Sequence, residues 1–193
     1  MSTAQADAQS LPPRITGATP SPPRAGGAPF FGPGRTALTL RVQTGCEEQC
    51  SYCIIPQTRG PSRSRPLANL IDDLRRAISA GYKEIAITGV HLGSYGRDLP
   101  DRLSLTSLVR TLADWRDDVL FRISSLEPMD CTAEIVDMMA ASARLAPPFH
   151  LPFQHGSDSL LAAVRPPASS PSSRALCARI APAAPHPAIT AAP

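Results

Sequence analysis

The sequence contains no run of about eighteen apolar residues, so it offers no helical membrane span. Its N-terminus lacks the charged start and apolar stretch of a secretory signal. Lysine is nearly absent, with Lys83 alone, and aromatic residues make up only 5%. Residues 1–45 hold no cysteine. The five cysteines that do occur are an odd number, and Cys46, Cys50 and Cys53 crowd into one short stretch. That pattern excludes a disulfide framework and leads us to expect a reducing, cytoplasmic setting.

Proline is abundant instead, and unevenly so. Of 22 prolines in 193 residues, seven lie in residues 1–35 and seven in 166–193. Dense Pro, Ala and Ser without periodicity argues against a packed core. We therefore expect a disordered N-terminal segment over 1–35, a folded core over 36–165 and a disordered tail over 166–193. The charge divides the same way. The core carries 14 basic and 15 acidic side chains, and the two ends carry five arginines and one aspartate. The net charge of +3 thus comes from the ends and is no sign of a basic binding face.

Within the core, strand-like and helix-like patterns alternate. Residues 37–43 read as a first strand. Leu67, Leu70, Ile71, Leu74 and Ile78 share one helix face, and Gly81 follows as a stop. Glu84–Thr88 is a short apolar strand. Leu105, Leu108, Val109 and Leu112 mark a second helix, and residues 119–124 a third strand. Ile135, Met138 and Met139 lie on a third helix, opened by Asp130 or Thr132 as a cap. Residues 149–153 form a fourth strand, and a further helix begins near 157–161. The alternation predicts an α/β fold with a parallel sheet and right-handed crossovers. A doubly wound sheet and a β/α barrel both fit. The chemistry-bearing residues cluster after each strand, which favours a barrel-type rim. About four βα units make a partial barrel. The pattern stops near Arg165, where we expect the domain to end.

The densest chemical signal is Cys46-x-x-x-Cys50-x-x-Cys53 within GCEEQCSYCIIP. Three thiolates on one loop can serve a [4Fe–4S] cube and leave one iron open for chemistry. They can also serve zinc, which wants four ligands; His91, His155 or Cys131 would complete such a site.

The loop, with Tyr52 before the third cysteine, resembles the radical S-adenosylmethionine superfamily. RVQTGCEEQCSYCIIPQTRGPSRSR, GYKEIAITGVHLGSYGRDL, FRISSLEP and HLPFQHGSD closely resemble its methylthiotransferases. The opening RVQ-GC and the segment TGVHLGSYG look most like the branch acting on N6-threonylcarbamoyladenosine beside the tRNA anticodon. The ribosomal-protein methylthiotransferases are the nearest rival. The resemblance runs over about residues 36–165. It implies that Cys46, Cys50 and Cys53 hold a [4Fe–4S] cluster whose open iron is chelated by S-adenosylmethionine. One electron then cleaves the sulfonium to methionine and a 5′-deoxyadenosyl radical, which abstracts hydrogen from an inert position. It implies tRNA as substrate and an electron donor such as a flavodoxin or ferredoxin, with no membrane involved.

Carried over residue by residue, the resemblance places Tyr52 near the cluster and the adenine. Thr88, Gly89 and Val90 fall where the family recognises the methionine moiety, and Gly89 lets backbone approach a ligand. Ser124, Ser125 and Glu127 would meet ribose hydroxyls or the methionine amine, or else serve as turn and cap residues. Gln154 ends the fourth strand within reach of cofactor or base. Arg59, Arg63 and Arg65 would hold RNA phosphate or the cofactor carboxylate through paired N–H donors. His91 and His155 read as structural groups. The family's sulfur-donor domain, with its three further cysteines, has no counterpart here, because Cys131 and Cys177 are too few and too far apart. The expectation is a core fragment of such an enzyme.

Overall fold

Leu38 and Leu40 are buried while Ala37, Thr39 and Arg41 face outward, the two-residue period of a strand covered on one side. This is β1, Ala37–Arg41, the first element of the computed structural model. The structure describes residues 37–124, 126–155, 157–164, 170–183 and 189–190. The segment expected to be disordered at the N-terminus lies outside the described residues.

After β1, the strands β2 (Gln43–Thr44) and β3 (Arg63–Ser64) pair antiparallel, and α1 (Ile55–Arg59) lies in the loop between them. Helix α2 (Leu67–Ser79) leads to β4 (Glu84–Thr88), and a 3-10 turn covers Leu92–Ser94. Helix α3 (Leu105–Ala113) precedes β5 (Leu120–Ile123), and α4 (Ala133–Ala141) precedes β6 (Phe149–His150). Helices α5 (Asp158–Val164) and α6 (Ser170–Ala183) and strand β7 (Ile189–Thr190) follow.

Strands β1, β4 and β5 form a parallel sheet in that order. The register sets Leu38, Ile85 and Phe121 side by side, and likewise Leu40, Ile87 and Ile123. These rows join one core with Leu70 and Leu74 of α2, Leu108 and Leu112 of α3, and Ile135 and Val136 of α4. The other face carries Thr39, Ala86 and Arg122 in one row, and Arg122 pairs with Glu84 there at 2.7 Å.

Backbone bonds continue the sheet beyond β5. Phe121 N donates to Arg144 O at 2.7 Å, Ala146 N to Phe121 O at 2.8 Å, and Leu126 N to His150 O at 3.0 Å. Strand β7 then pairs parallel with β6. Spatial order therefore follows chain order, without the reversal of a doubly wound sheet. That choice between the two α/β architectures falls to the barrel type, and the strands present form an arc of it.

Two expectations need correction. The fourth strand was expected over 149–153 but ends at His150, since Pro152 offers no N–H for a ladder. The tail was expected to be unstructured from 166, yet α6 spans Ser170–Ala183 and buries Leu176 and Ile180 in the common core. These two residues stand one helical turn apart. Arg179 of the same helix meets both carboxylate oxygens of Asp137 in α4, at 3.0 and 3.1 Å. Pro171 sits at the helix start and Pro182 in its last turn. A proline near the helix start tolerates the missing N–H, and neither composition nor periodicity announced this helix.

Candidate cluster and cofactor site

The cysteine loop is the excursion between β2 and β3, and its two ends are stapled. Cys46 N donates to Gly60 O at 3.1 Å, and Arg65 N to Val42 O at 2.9 Å. Gly45 turns the chain with φ of +74°, and a Cβ there would overlap the carbonyl of Pro61. Only glycine meets both demands. The three thiols are free and half-buried. Burial pushes the Cys46 thiol up; the Glu48 N–H at 3.4 Å opposes this, and the charges of Glu48 and Cys53 add to it. Burial likewise raises Cys50, against a hydrogen bond from Tyr52. The Tyr52 ring is 54% exposed, and its hydroxyl is pushed to about 12 by burial and then by Cys50.

Across the rim, the loop after β4 brings His91 to the cysteines. His91 is buried, with Nδ1 4.0 Å from Cys46 Sγ and Nε2 2.9 Å from Asp130 Oδ2. The Asp130 bond raises the imidazole pKa, against burial. Thr132 caps α4 by accepting from Ile135 N at 3.3 Å, so of the two expected caps Asp130 is released for His91. A Cβ on Gly93 would overlap the Asp130 carboxylate, so this glycine makes the pair possible.

The side chain that joins the two loops is Gln43, only 1% exposed. Its Oε1 accepts from Val90 N and His91 N, both at 2.9 Å. Its Nε2 reaches Gly45 O at 2.7 Å, and Thr44 O and Ser62 Oγ at 2.9 Å. A Cβ on Gly89 would lie 2.9 Å from Gln43 Oε1 and 2.8 Å from Leu92 Cδ2. The space beside Gly89, expected to admit a ligand, is thus filled from within. Sequence reasoning passed over Gln43 and the His91–Asp130 pair. Gln43 entered the sequence reading only as a letter of the RVQ-GC opening, which gives it no role, and 39 residues separate His91 from Asp130.

The remaining expected residues are distributed as follows. Thr88 ends β4, and its carbonyl accepts from Val42 N at 2.9 Å. Gly89 and Val90 are half-buried beside it. Glu127 follows β5, its carboxyl pKa raised by burial and then by Asp130 and Glu48, with His91 opposing. Glu127 acts electrostatically on Cys46, Cys50 and Tyr52, so it shares their rim. Ser124 donates its N–H to Ile87 O at 3.0 Å, and Ser125 lies outside the described residues. Gln154 is half-buried, with Nε2 3.3 Å from Pro152 O. His155 is exposed and accepts from Ser157 N at 2.8 Å, a local turn role.

The arginines part company. Arg59 is exposed at the end of α1, and Arg63 donates to its carbonyl at 3.1 Å. Arg65 turns inward to Asp73 at 2.5 Å, and Asp73 also meets Arg76. Its guanidinium is therefore engaged in the fold rather than offered whole to a ligand.

Residues 40–184 match the family model of the Radical SAM superfamily. The chain belongs to the radical S-adenosylmethionine superfamily. It is similar to the threonylcarbamoyladenosine tRNA methylthiotransferase of Bacillus subtilis, 37% identical over 132 residues, covering 68% of this chain and 29% of that protein. It is also similar to the ribosomal protein uS12 methylthiotransferase of Desulforudis audaxviator, 37% identical over 150 residues, covering 78% of this chain and 32% of that protein. The chain thus spans about a third of the length of these relatives. A solved radical S-adenosylmethionine methyltransferase from Kitasatospora setae, with cobalamin and a [4Fe–4S] cluster bound, shares the fold. Its TM-score is 0.61 at 17% identity, covering 79% of this chain and 30% of that one.

The rim suits a radical S-adenosylmethionine enzyme. A cluster takes one thiolate per iron, so its three sulfurs need not converge on a point. Among the described residues no three His, Cys, Asp or Glu side chains converge as a single ion would require. Of the three candidate fourth zinc ligands, His91 stays beside Cys46 but is hydrogen-bonded to Asp130, and the other two are engaged elsewhere. Cys131 is buried in the core, its thiol pushed to about 12 by burial and then by Asp130. His155 already accepts a backbone hydrogen bond.

Proposed function

We propose that this chain is the S-adenosylmethionine-cleaving core of a methylthiotransferase that modifies tRNA at N6-threonylcarbamoyladenosine beside the anticodon. The supporting observation is the set of three free thiols on one stapled loop at the C-terminal edge of a sequentially ordered parallel sheet. The relative from Bacillus subtilis supports the nucleoside.

Cys46, Cys50 and Cys53 hold a [4Fe–4S] cluster in this reading. With S-adenosylmethionine bound, that cluster supplies one-electron cleavage of the sulfonium to methionine and a 5′-deoxyadenosyl radical. The chain's own residues bind and orient. The backbone of Thr88, Gly89 and Val90 faces the methionine moiety on the side away from Gln43. Glu127 takes the ammonium or ribose hydroxyls, with Gln154 and Tyr52 at the edges of the cofactor. Arg59 and Arg63 are exposed next to the loop and meet RNA phosphate. A flavodoxin- or ferredoxin-type protein supplies the electron, in the cytoplasm. The sulfur comes from outside residues 36–165.

Anaerobic reconstitution with iron and sulfide tests this. About four irons per chain and reductive release of 5′-deoxyadenosine from S-adenosylmethionine are expected. A colourless chain without cofactor cleavage would overturn it. A second reading, a ribosomal-protein methylthiotransferase core, is favoured by the relative from Desulforudis audaxviator. Retention of tRNA against uS12 by the reconstituted chain separates the two.

A further inference from the structure

Gln43 stands at the junction of the two loops that the proposed function assigns to the cluster and to the methionine moiety. Its side chain makes hydrogen bonds to both. Its Oε1 receives the N–H groups of Val90 and His91. Its Nε2 faces the carbonyls of Thr44 and Gly45, the residues that lead into Cys46.

A second route runs from the same amide. Nε2 lies 2.9 Å from Ser62 Oγ, Ser62 Oγ is 2.6 Å from Ser94 Oγ, and Ser94 Oγ donates to His91 O at 2.7 Å. Ser94 spends its proton on that carbonyl, so Ser62 donates to Ser94 and accepts from Gln43. The peptide of His91 is therefore held at its N–H directly and at its C=O through two serines. All three side chains of this relay are buried. Buried polar groups this fully paired define one arrangement, because any slip leaves several of them unsatisfied.

Packing says the same. The position beside Gly89 that a Cβ would occupy is taken by Gln43 Oε1 at 2.9 Å and Gln43 Cβ at 3.2 Å. The strand end after β4 is thus shaped around this glutamine.

We propose that Gln43 is a positioning residue, a latch that fixes the distance between the cysteine loop and the Thr88–His91 backbone. Its amide is spent on the protein's own groups. It acts by keeping the cluster ligands and the methionine-binding backbone in one register, which is what a reaction between the two cofactors requires. The inference rests on the proposed function for its consequence, and on the geometry alone for the latch.

The test has two arms on the full chain. The first is hydrogen exchange of wild type and Gln43→Leu, which keeps bulk and removes every bond. Peptides covering 44–53 and 89–95 are both expected to exchange about tenfold faster, the loss of roughly one net hydrogen bond each. Faster exchange in one segment alone overturns the latch. The second arm is the electron paramagnetic resonance signal of the reduced cluster, titrated with S-adenosylmethionine. Gln43→Leu is expected to keep the wild-type iron count while its apparent Kd for S-adenosylmethionine rises about tenfold or more. A wild-type Kd in the variant overturns the positioning role. A wild type that shows no cofactor response overturns the proposed function instead, and the exchange arm still decides the latch. Should the leucine variant aggregate, Ser62→Ala cuts only the relay. It must loosen the same two segments by less, and unchanged exchange there overturns the proposal.

Discussion

His91 Nε2 lies 2.9 Å from Asp130 Oδ2, while the opposite nitrogen of the same ring faces Cys46 Sγ at 4.0 Å. One buried imidazole thus ties the loop after β5 to the first cysteine. The carboxylate itself has a side-chain exposure of 10% and a distant second partner in Arg97 at 3.9 Å. Replacing Asp130 by Ala leaves the imidazole without its closest partner in a site with little access to water. The chain is expected to lose about 1–3 kcal/mol, read from urea unfolding. Asp130→Asn keeps an oxygen there and should lose less.

Gly45 closes the cysteine loop in a backbone region that L side chains avoid. The atom it would strike is the main-chain carbonyl of Pro61, which no rotamer change can move away. Gly45→Ala should cost about 2–5 kcal/mol and lower the iron retained after reconstitution. Gly81→Ala is the control. Its φ of +93° is also positive, but nothing lies within 4 Å of its would-be Cβ. It should keep the cluster.

Asp73 gives a pH signature. Burial alone would raise its carboxyl pKa, but hydrogen bonds from Arg65 and Arg76 outweigh burial and hold it below the ordinary value. A depressed carboxylate stabilises the fold above its unfolded pKa of about 3.9 and ceases to do so as pH falls through its folded pKa. Asp73→Asn should therefore be less stable than wild type at pH 7 by about 1–3 kcal/mol, since both arginines are partly exposed. Urea unfolding carried down in pH should show the two chains converge once wild-type Asp73 protonates.

Ile180 is fully buried although it belongs to a segment whose composition reads as disordered. Ile180→Ala should cost about 2–4 kcal/mol in urea unfolding. Arg179→Ala removes an exposed pair with Asp137 and should cost less than about 1 kcal/mol. Equal effects from the two would mean that α6 does not pack on the core.

Much of the fold was legible because it is local. The apolar spacing in 67–78 gives α2, and the compact run Glu84–Thr88 gives β4 with the bounds observed. Periodicity works for α2 because it buries one face against the core, and β4 reads as a continuous apolar run because both of its faces are buried. The short pieces were not legible. Helix α1 has five residues and no buried side chain, so no apolar face announces it. The two-residue strands β2 and β3 owe their pairing to a hairpin-like closure across the cysteine loop. Helix α6 was hidden by its prolines and by the lack of a periodic face, since only Leu176 and Ile180 of it enter the core.

The sequence by itself determined the cysteine loop, the alternation of strands and helices, and the placement of polar clusters after strands. Those depend on neighbours in the chain, and a motif or a period can record them. Only the tertiary structure decided which polar side chains share a hydrogen bond. It turned Arg65 inward to Asp73. It freed Asp130 from capping so that it could hold His91. It set Gln43 between two loops 47 residues apart. Such pairings are decided by the burial of donors and acceptors that must find partners once water is excluded. The identity of each partner depends on how the parallel strands bring their ends together, and no local pattern encodes that.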